Sequence, residues 1–190
     1  MLPAAMACFD PFPVLQTPRL LLRQILPSDA QAMYDWQQDP QVMRFLGRDP
    51  DRTLADSVAR IELITRNLKD EEGIMWGLVR RDTGDFVGTA GLWRWVKPNR
   101  YAEIGYQMAS AHWGQGLMTE ALRPVVRFGF ERMDLHRIEA NTDPDNLASA
   151  RVLAKLGFRQ EARLRENWLY NGVFTDSAIY GLLRREADLT

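Results

Sequence analysis

The chain has 190 residues, 46% of them hydrophobic and 26% charged, and a net charge of −1. This balance supports one soluble domain with a real core and argues against a nucleic-acid or membrane surface. Cys8 is the only cysteine, which excludes an internal disulfide, and no apolar run approaches the roughly 20 residues of a membrane span. A reducing, cytoplasmic setting is expected.

Residues 1–16, interrupted by Asp10 and the prolines at 3, 11 and 13, lack the basic start of a signal peptide and read as an N-terminal arm. Residues 17–186 read as one domain, without repeats, low-complexity tracts or a dividing linker. RLLLRQI (19–25) is a short apolar strand stopped by Pro27, and Ser28 and Asp29 offer caps for a helix through Met33 and Trp36. Leu54, Val58, Ile61, Ile64 and Leu68 have helical spacing over 53–68, and Gly73 ends that region. IMWGLVRR (74–81), the turn DTGD (82–85) and FVGTAGLWRWV (86–96) form a hairpin, and YAEIGYQMA (101–109) a third strand.

HWGQG (112–116) then opens a helix reaching about Met133. Its expected buried stripe is Leu117, Ala121, Leu122, Val125, Val126 and Phe130, and Pro124 within it predicts a kink or a shorter helix. HRIEANT (136–142) is a strand, DPDN (143–146) a turn that doubles as a cap, and LASARVLAKL (147–156) a helix closed by Gly157. Two strands joined at Asn171–Gly172 complete the chain. The order predicts an α+β domain with a mixed, mostly antiparallel sheet of about seven strands and about four helices.

The glycines at the entrance of the 117–133 helix pose the functional question. A helix N-terminus exposes unpaired amides and a partial positive charge, and small residues there let an anion such as a pyrophosphate approach the backbone. Gly114 and Gly116 would open that path, with amides from Gln115 and from Leu117, Met118 and Thr119. The alternative is a tight turn whose glycines take positive φ and bind nothing. A Rossmann fingerprint would need a third glycine where Thr119 stands, and a P-loop would need Gly-Lys-Ser/Thr.

WGQGLMTEAL resembles the acetyl-CoA pyrophosphate loop of the GNAT superfamily of N-acetyltransferases. The preceding AEIGYQM and the downstream HRIEANTDPDNLASARVLAKLGF resemble the flanking parts of the same cofactor site. The most similar branch is that of the ribosomal-protein N-terminal acetyltransferases, through GLM-EAL, HRI-AN, the LGF ending and the closing NG hairpin. The resemblance spans nearly all of residues 17–186. It implies a GNAT-like fold, acetyl-CoA as co-substrate without a metal, and a protein N-terminal α-amine as acceptor, such as that of a ribosomal protein. A small amine (polyamine, aminoglycoside or amino acid) is the alternative acceptor, and a non-catalytic acetyl-CoA sensor the alternative function.

Carried over residue by residue, the resemblance makes the amides around Gly114, Gln115, Gly116, Leu117, Met118 and Thr119 the pyrophosphate contacts. It places the backbones of Gln107 and Met108 along the pantetheine, as though that were another strand. Asn141 and Asn146 meet the cofactor amides or simply shape the turn and cap the helix. Three departures stand out. Trp113 replaces the Gln or Arg that often begins the loop, Met118 its last small residue, and Leu153 the tyrosine that many members use as general acid.

An α-amine is roughly a tenth neutral at pH 7, whereas lysine is almost wholly protonated. A base therefore helps with an N-terminus and is far more important for a lysine. Glu103 matches the glutamate that other members use as base; otherwise it is a surface carboxylate. Glu166 is the reserve, or else a surface partner of Arg163 or Arg165. Ser149 is expected to take over from the missing tyrosine beside the sulfur, and a first-turn serine of no consequence is the alternative.

His112 and His136 lack ligand-spaced neighbours, so no metal site is expected, and His136 is expected to open a strand and pack. The basic stretch of Arg151, Lys155, Arg159, Arg163 and Arg165 is a solvated face that also offers partners for the CoA 3′-phosphate. Trp93 and Trp95, expected on one strand face, either line an acceptor pocket with Trp36 and Trp168 or fill the core.

Overall fold

A computed structural model describes residues 9–189. Cys8 and the first half of the expected arm lie outside the described residues. In chain order the elements are β1 (Leu15–Gln16), β2 (Leu20–Gln24), α1 (Ala30–Gln37), α2 (Pro40–Met43), α3 (Leu54–Lys69), β3 (Ile74–Arg80), β4 (Phe86–Val96) and β5 (Tyr101–Met108). Then follow α4 (Leu117–Glu131), β6 (Arg137–Thr142), α5 (Leu147–Lys155), β7 (Arg159–Tyr170) and β8 (Val173–Leu183). The strands form one sheet in the order β1-β2-β3-β4-β5-β6-β8-β7. Every neighbouring pair is antiparallel except β5 and β6. Among the described residues no helix is long and apolar enough to cross a membrane.

The α+β reading therefore holds, with two small additions. β1 comes from the expected arm, where Phe9 is buried and stacks on Phe128 of α4, and where the Pro13 carbonyl accepts from the Trp76 indole at 2.6 Å. The four-residue α2 is capped by Asp39, whose carboxylate accepts from the Gln41 amide.

Helices α4 and α5 cover one face of the sheet. Leu117, Leu122, Val125 and Phe130 of α4 and Leu153 of α5 share a core with Leu20, Leu78, Leu92 and Ile138. Burying such side chains stabilises by about 1.5–3 kcal/mol each. That is why α4 continues across Pro124 as far as Glu131 rather than ending at the proline. A smaller cluster of Ile25, Met33, Trp36 and Ile61, packed with Met75 and Phe86, holds α1 and α3 on the other face.

Local chemistry departs from expectation at four places. Asp29 does not cap α1 through its side chain. Its buried carboxylate accepts from Nη1 and Nη2 of Arg23 at 2.7 and 2.8 Å and from the Leu26 amide at 2.7 Å. The left-handed residue after α3 is Glu71 (φ 54°), so the chain turns before Gly73. His136 is exposed and precedes β6, its backbone bonded to Arg100 and Arg184. Trp93 and Trp95 do not share a face, because Arg94 takes φ 51° inside a bulge and breaks the alternation. Trp95 packs on Phe9 at 5.7 Å, in the α4 core, while the Trp93 indole lies over Gly105 on the opposite face.

Candidate active site

β5 and β6 run parallel and pair only at Tyr101–Arg137, Ala102–Ile138 and Glu103–Glu139. Beyond these pairs the strands continue to Met108 and Thr142 unpaired with each other, which opens a gap in the middle of the sheet. Ala109 N donates to Val87 O at 3.0 Å, and Gly88 opposes Met108. Antiparallel alternation therefore aims the backbone groups of Tyr106 and Met108 into the gap and those of Gln107 toward β4. The Met108 carbonyl is already engaged by the Trp113 indole N–H at 2.8 Å, so its amide is the group presented. Trp113, the first departure from the loop pattern, thus pins the loop to the end of β5.

The loop itself has Gly114 and Gly116 both at φ 74°, with Gly116 as the N-cap of α4. Conformation alone favours glycine there. The space above is open: a Cβ on Gly114 meets nothing within 4 Å, and one on Gly116 meets only Arg19 Nη2 at 3.8 Å. The first bond of α4 runs from Glu120 N to Gly116 O at 3.1 Å, so the amides of Leu117, Met118 and Thr119 point out of the helix end without a carbonyl in the preceding turn. Backbone, charge and room suit a pyrophosphate.

A brace between distant segments sets this loop. The Glu120 carboxylate accepts from Thr17 Oγ1 at 2.6 Å, the Arg19 amide at 2.9 Å and Arg19 Nε at 2.6 Å, while Arg19 Nη1 donates to the Gln115 carbonyl at 2.9 Å. Burial works against the Glu120 charge, but these hydrogen bonds hold its carboxyl below the usual carboxylate range.

On the rim of the gap Glu103 is buried at 8% exposure. Arg94 Nη1 donates to its Oε1 at 2.8 Å, and the Tyr101 hydroxyl reaches the same oxygen at 3.3 Å and Glu139 at 3.4 Å. Burial first, then the two carboxylates, pushes the Tyr101 phenol up, so it stays a neutral donor. The chain continues through Arg137, which joins Glu139 at 2.8 Å to Glu161 at 2.6 Å.

Across the gap, Asn141 is exposed near the end of β6. Asn146 caps α5, its Oδ1 accepting from the Ser149 amide at 3.0 Å. Ser149 Oγ lies 2.8 Å from the Tyr106 hydroxyl. Glu103, Met108 and Ser149 therefore belong to the two walls of the gap, and Gly114 to Thr119 to its mouth. Glu166 is exposed in a bulge of β7, where its backbone bonds Asp176. The partner of Arg163 is Asp176 at 2.8 Å rather than Glu166, and Arg159 meets Glu186 at 3.8 Å. Leu153 is fully buried in the core.

Of the tryptophans, Trp36 packs in the core against Phe86 at 5.6 Å. Trp168 is exposed and approaches the loop before α3: its Nε1 would lie 3.0 Å from a Cβ on Gly47, and Tyr170 beside it donates to Asp49 at 2.8 Å. Among the described residues no cluster of three His, Cys, Asp or Glu side chains is arranged to hold a metal ion.

Tyr106, Arg94 and the Arg19–Glu120 brace were outside the reach of motif reading. Tyr106 had one available signal, the even spacing that puts it on the same strand side as Met108.

Comparison with known proteins agrees with this geometry. A family model for the acetyltransferase (GNAT) domain matches residues 19–159. The uncharacterized N-acetyltransferase YoaA of Bacillus subtilis (strain 168) is 36% identical over 173 residues, covering 91% of this chain and 98% of the relative. The [ribosomal protein uS5]-alanine N-acetyltransferase of Escherichia coli (strain K12) is 29% identical over 175 residues, 88% of this chain and 89% of that one. Among solved structures, Mycobacterium smegmatis RimJ in complex with CoA-disulfide superposes with a TM-score of 0.80 at 26% identity, over 88% of this chain and 83% of that one.

Proposed function

The chain belongs to the GNAT acetyltransferase family, and from that premise we propose that it acetylates the N-terminal α-amine of a protein, in the first place a ribosomal protein. In this reading residues 17–186 are the acetyltransferase unit, and acetyl-CoA is the donor. The observation that carries it is the gap between β5 and β6, which stops pairing after Glu103 and Glu139 and opens beside the glycine loop. The choice of acceptor rests on the likeness to the uS5-alanine enzyme.

Bound acetyl-CoA supplies a thioester; the chain supplies everything that orients it. The amides from Gly114 to Thr119 hold the pyrophosphate, and Asn141 and Asn146 bond the pantetheine amides. The Met108 amide donates to the thioester oxygen as negative charge develops there. Glu103 takes the proton of the attacking amine through Oε2, the oxygen to which neither Arg94 nor Tyr101 donates. Ser149 serves the departing sulfur. Transfer is direct, without a covalent acetyl-enzyme.

The test is release of CoA thiol from acetyl-CoA with two acceptor pools, peptides with varied free N-termini and small amines including polyamines and aminoglycosides. Release with the peptides is expected, lowered by Glu103→Gln about 10²-fold, the lower range for a general base, with acetyl-CoA affinity retained. Release confined to the small amines overturns the acceptor. Tight acetyl-CoA binding with release in neither pool identifies a sensor instead.

A further inference from the structure

The hydroxyls of Tyr106 and Ser149 meet 2.8 Å apart, one carried by β5 and the other by the first turn of α5, on opposite walls of the gap. We propose that Tyr106 is the positioning residue of Ser149, donating to its Oγ so that the Ser149 O–H is turned toward the thioester sulfur. This rests on the acetyl-transfer reading above and adds to it a residue that no resemblance assigns.

The donor direction follows from acidity. A phenol is the stronger acid and the stronger donor, so in a Tyr–Ser pair it gives its hydrogen and leaves the alcohol's free. Burial pushes the Tyr106 phenol up to about 12, which keeps it protonated at any working pH while leaving it more acidic than an alcohol. The rest of Ser149 is also fixed, since its amide is held by Asn146 Oδ1 at 3.0 Å. A serine in the first turn of a helix otherwise tends to bond nearby backbone groups, and a hydrogen bond received from Tyr106 sets its rotor instead. The tyrosine that other family members carry on this helix corresponds here to Leu153, which is fully buried. The phenol in this chain comes from the facing strand and acts through the serine.

The step balances without another reagent. The amine nitrogen bonds the acetyl carbon, the C–S bond breaks, and its electron pair goes to sulfur. As Ser149 passes its proton to that sulfur, the proton that Glu103 takes from the amine nitrogen is returned to Ser149 Oγ through water, so no free alkoxide stands beside the phenol. Tyr106 keeps its own proton throughout.

A double-mutant cycle on the full chain tests this, using acetyl-CoA and whichever amine of the two pools turns over fastest. Tyr106→Phe keeps the partly buried ring and removes only the hydroxyl. We expect kcat to fall at least about tenfold, and about 10²-fold for Ser149→Ala, the low end of what a positioned acid contributes. Acetyl-CoA Kd and Tm should hardly move. In the Ser149→Ala background, Tyr106→Phe should cost nothing more, because the two hydroxyls act as a unit. An unchanged kcat in Tyr106→Phe, or the same loss in both backgrounds, overturns the role. A wild-type protein inactive toward every amine defeats the acetyl-transfer reading itself, a distinct outcome.

Discussion

Asp51→Ala is expected to lower the unfolding free energy by about 3–5 kcal/mol, the usual cost of removing one partner from a buried ion pair. Asp51 is 4% exposed. Its carboxylate pairs with Arg60 and accepts from Ser57 Oγ at 2.6 Å and Gln37 Nε2 at 2.9 Å, with Arg48 3.8 Å away. Alanine leaves Arg60, Ser57 and Gln37 without that acceptor. A thermal midpoint lowered by about 10 °C is the readout, at roughly 2–4 °C per kcal/mol for a chain of this size. A loss below about 1 kcal/mol would show that the network is dispensable. The same carboxyl predicts acid sensitivity. Burial would raise it, but the hydrogen bonds and the Arg60 charge outweigh burial and hold it at about 2. A depressed carboxyl stabilises fully above its unfolded value near 4, so about 2 kcal/mol should vanish between roughly pH 4 and pH 2. The segment between α2 and α3 that carries Asp51 also carries Gly47 and Asp49, which meet Trp168 and Tyr170 of β7.

Gly116→Val should weaken acetyl-CoA binding at least about tenfold, or about 1.4 kcal/mol. A β-branched residue at φ 74° is strained by roughly 1–2 kcal/mol. Its branches would also stand in the open space above the loop, where the phosphates must reach the amides. Gly84 is a matched control. It sits at φ 81° in the β3–β4 turn, where a Cβ would meet nothing within 4 Å, and it is not part of the loop. Gly84→Val carries a similar backbone penalty and should leave acetyl-CoA affinity within about twofold, so calorimetric titration of the two variants separates strain from obstruction. Equal affinities in both variants would mean that the glycine loop holds no phosphate.

What could be read in the sequence is what local rules encode. The glycine pair before α4, Asn146 as the cap of α5 and the Asn171–Gly172 turn each express a conformational demand at the residue that meets it. The candidate positions in the loop, β5 and α5 could be named because three motifs lie in fixed spacing along consecutive elements. Contacts made only by the fold were not. Thr17 and Arg19 reach Glu120 about a hundred residues away, and no local pattern announces such a pair. The bulge at Arg94 was hidden because a left-handed arginine breaks the usual preference. It is stabilised by contacts to Glu103 and to the Trp93 ring, 4.5 Å from the guanidinium, which only the assembled sheet creates. Pro124 stays inside the helix for the same reason: tertiary burial of α4 outweighs a local penalty of about 3 kcal/mol.

The central claim is that acetyl-CoA lies in the opening between β5 and β6. A crystal structure of the protein grown with CoA tests it most directly. We predict the pyrophosphate on the amides from Gly114 to Thr119, the pantetheine between the two strands, and the sulfur within hydrogen-bonding distance of Ser149 Oγ. A pantetheine arm lying outside the gap, with its sulfur remote from both Ser149 and Met108, would contradict it.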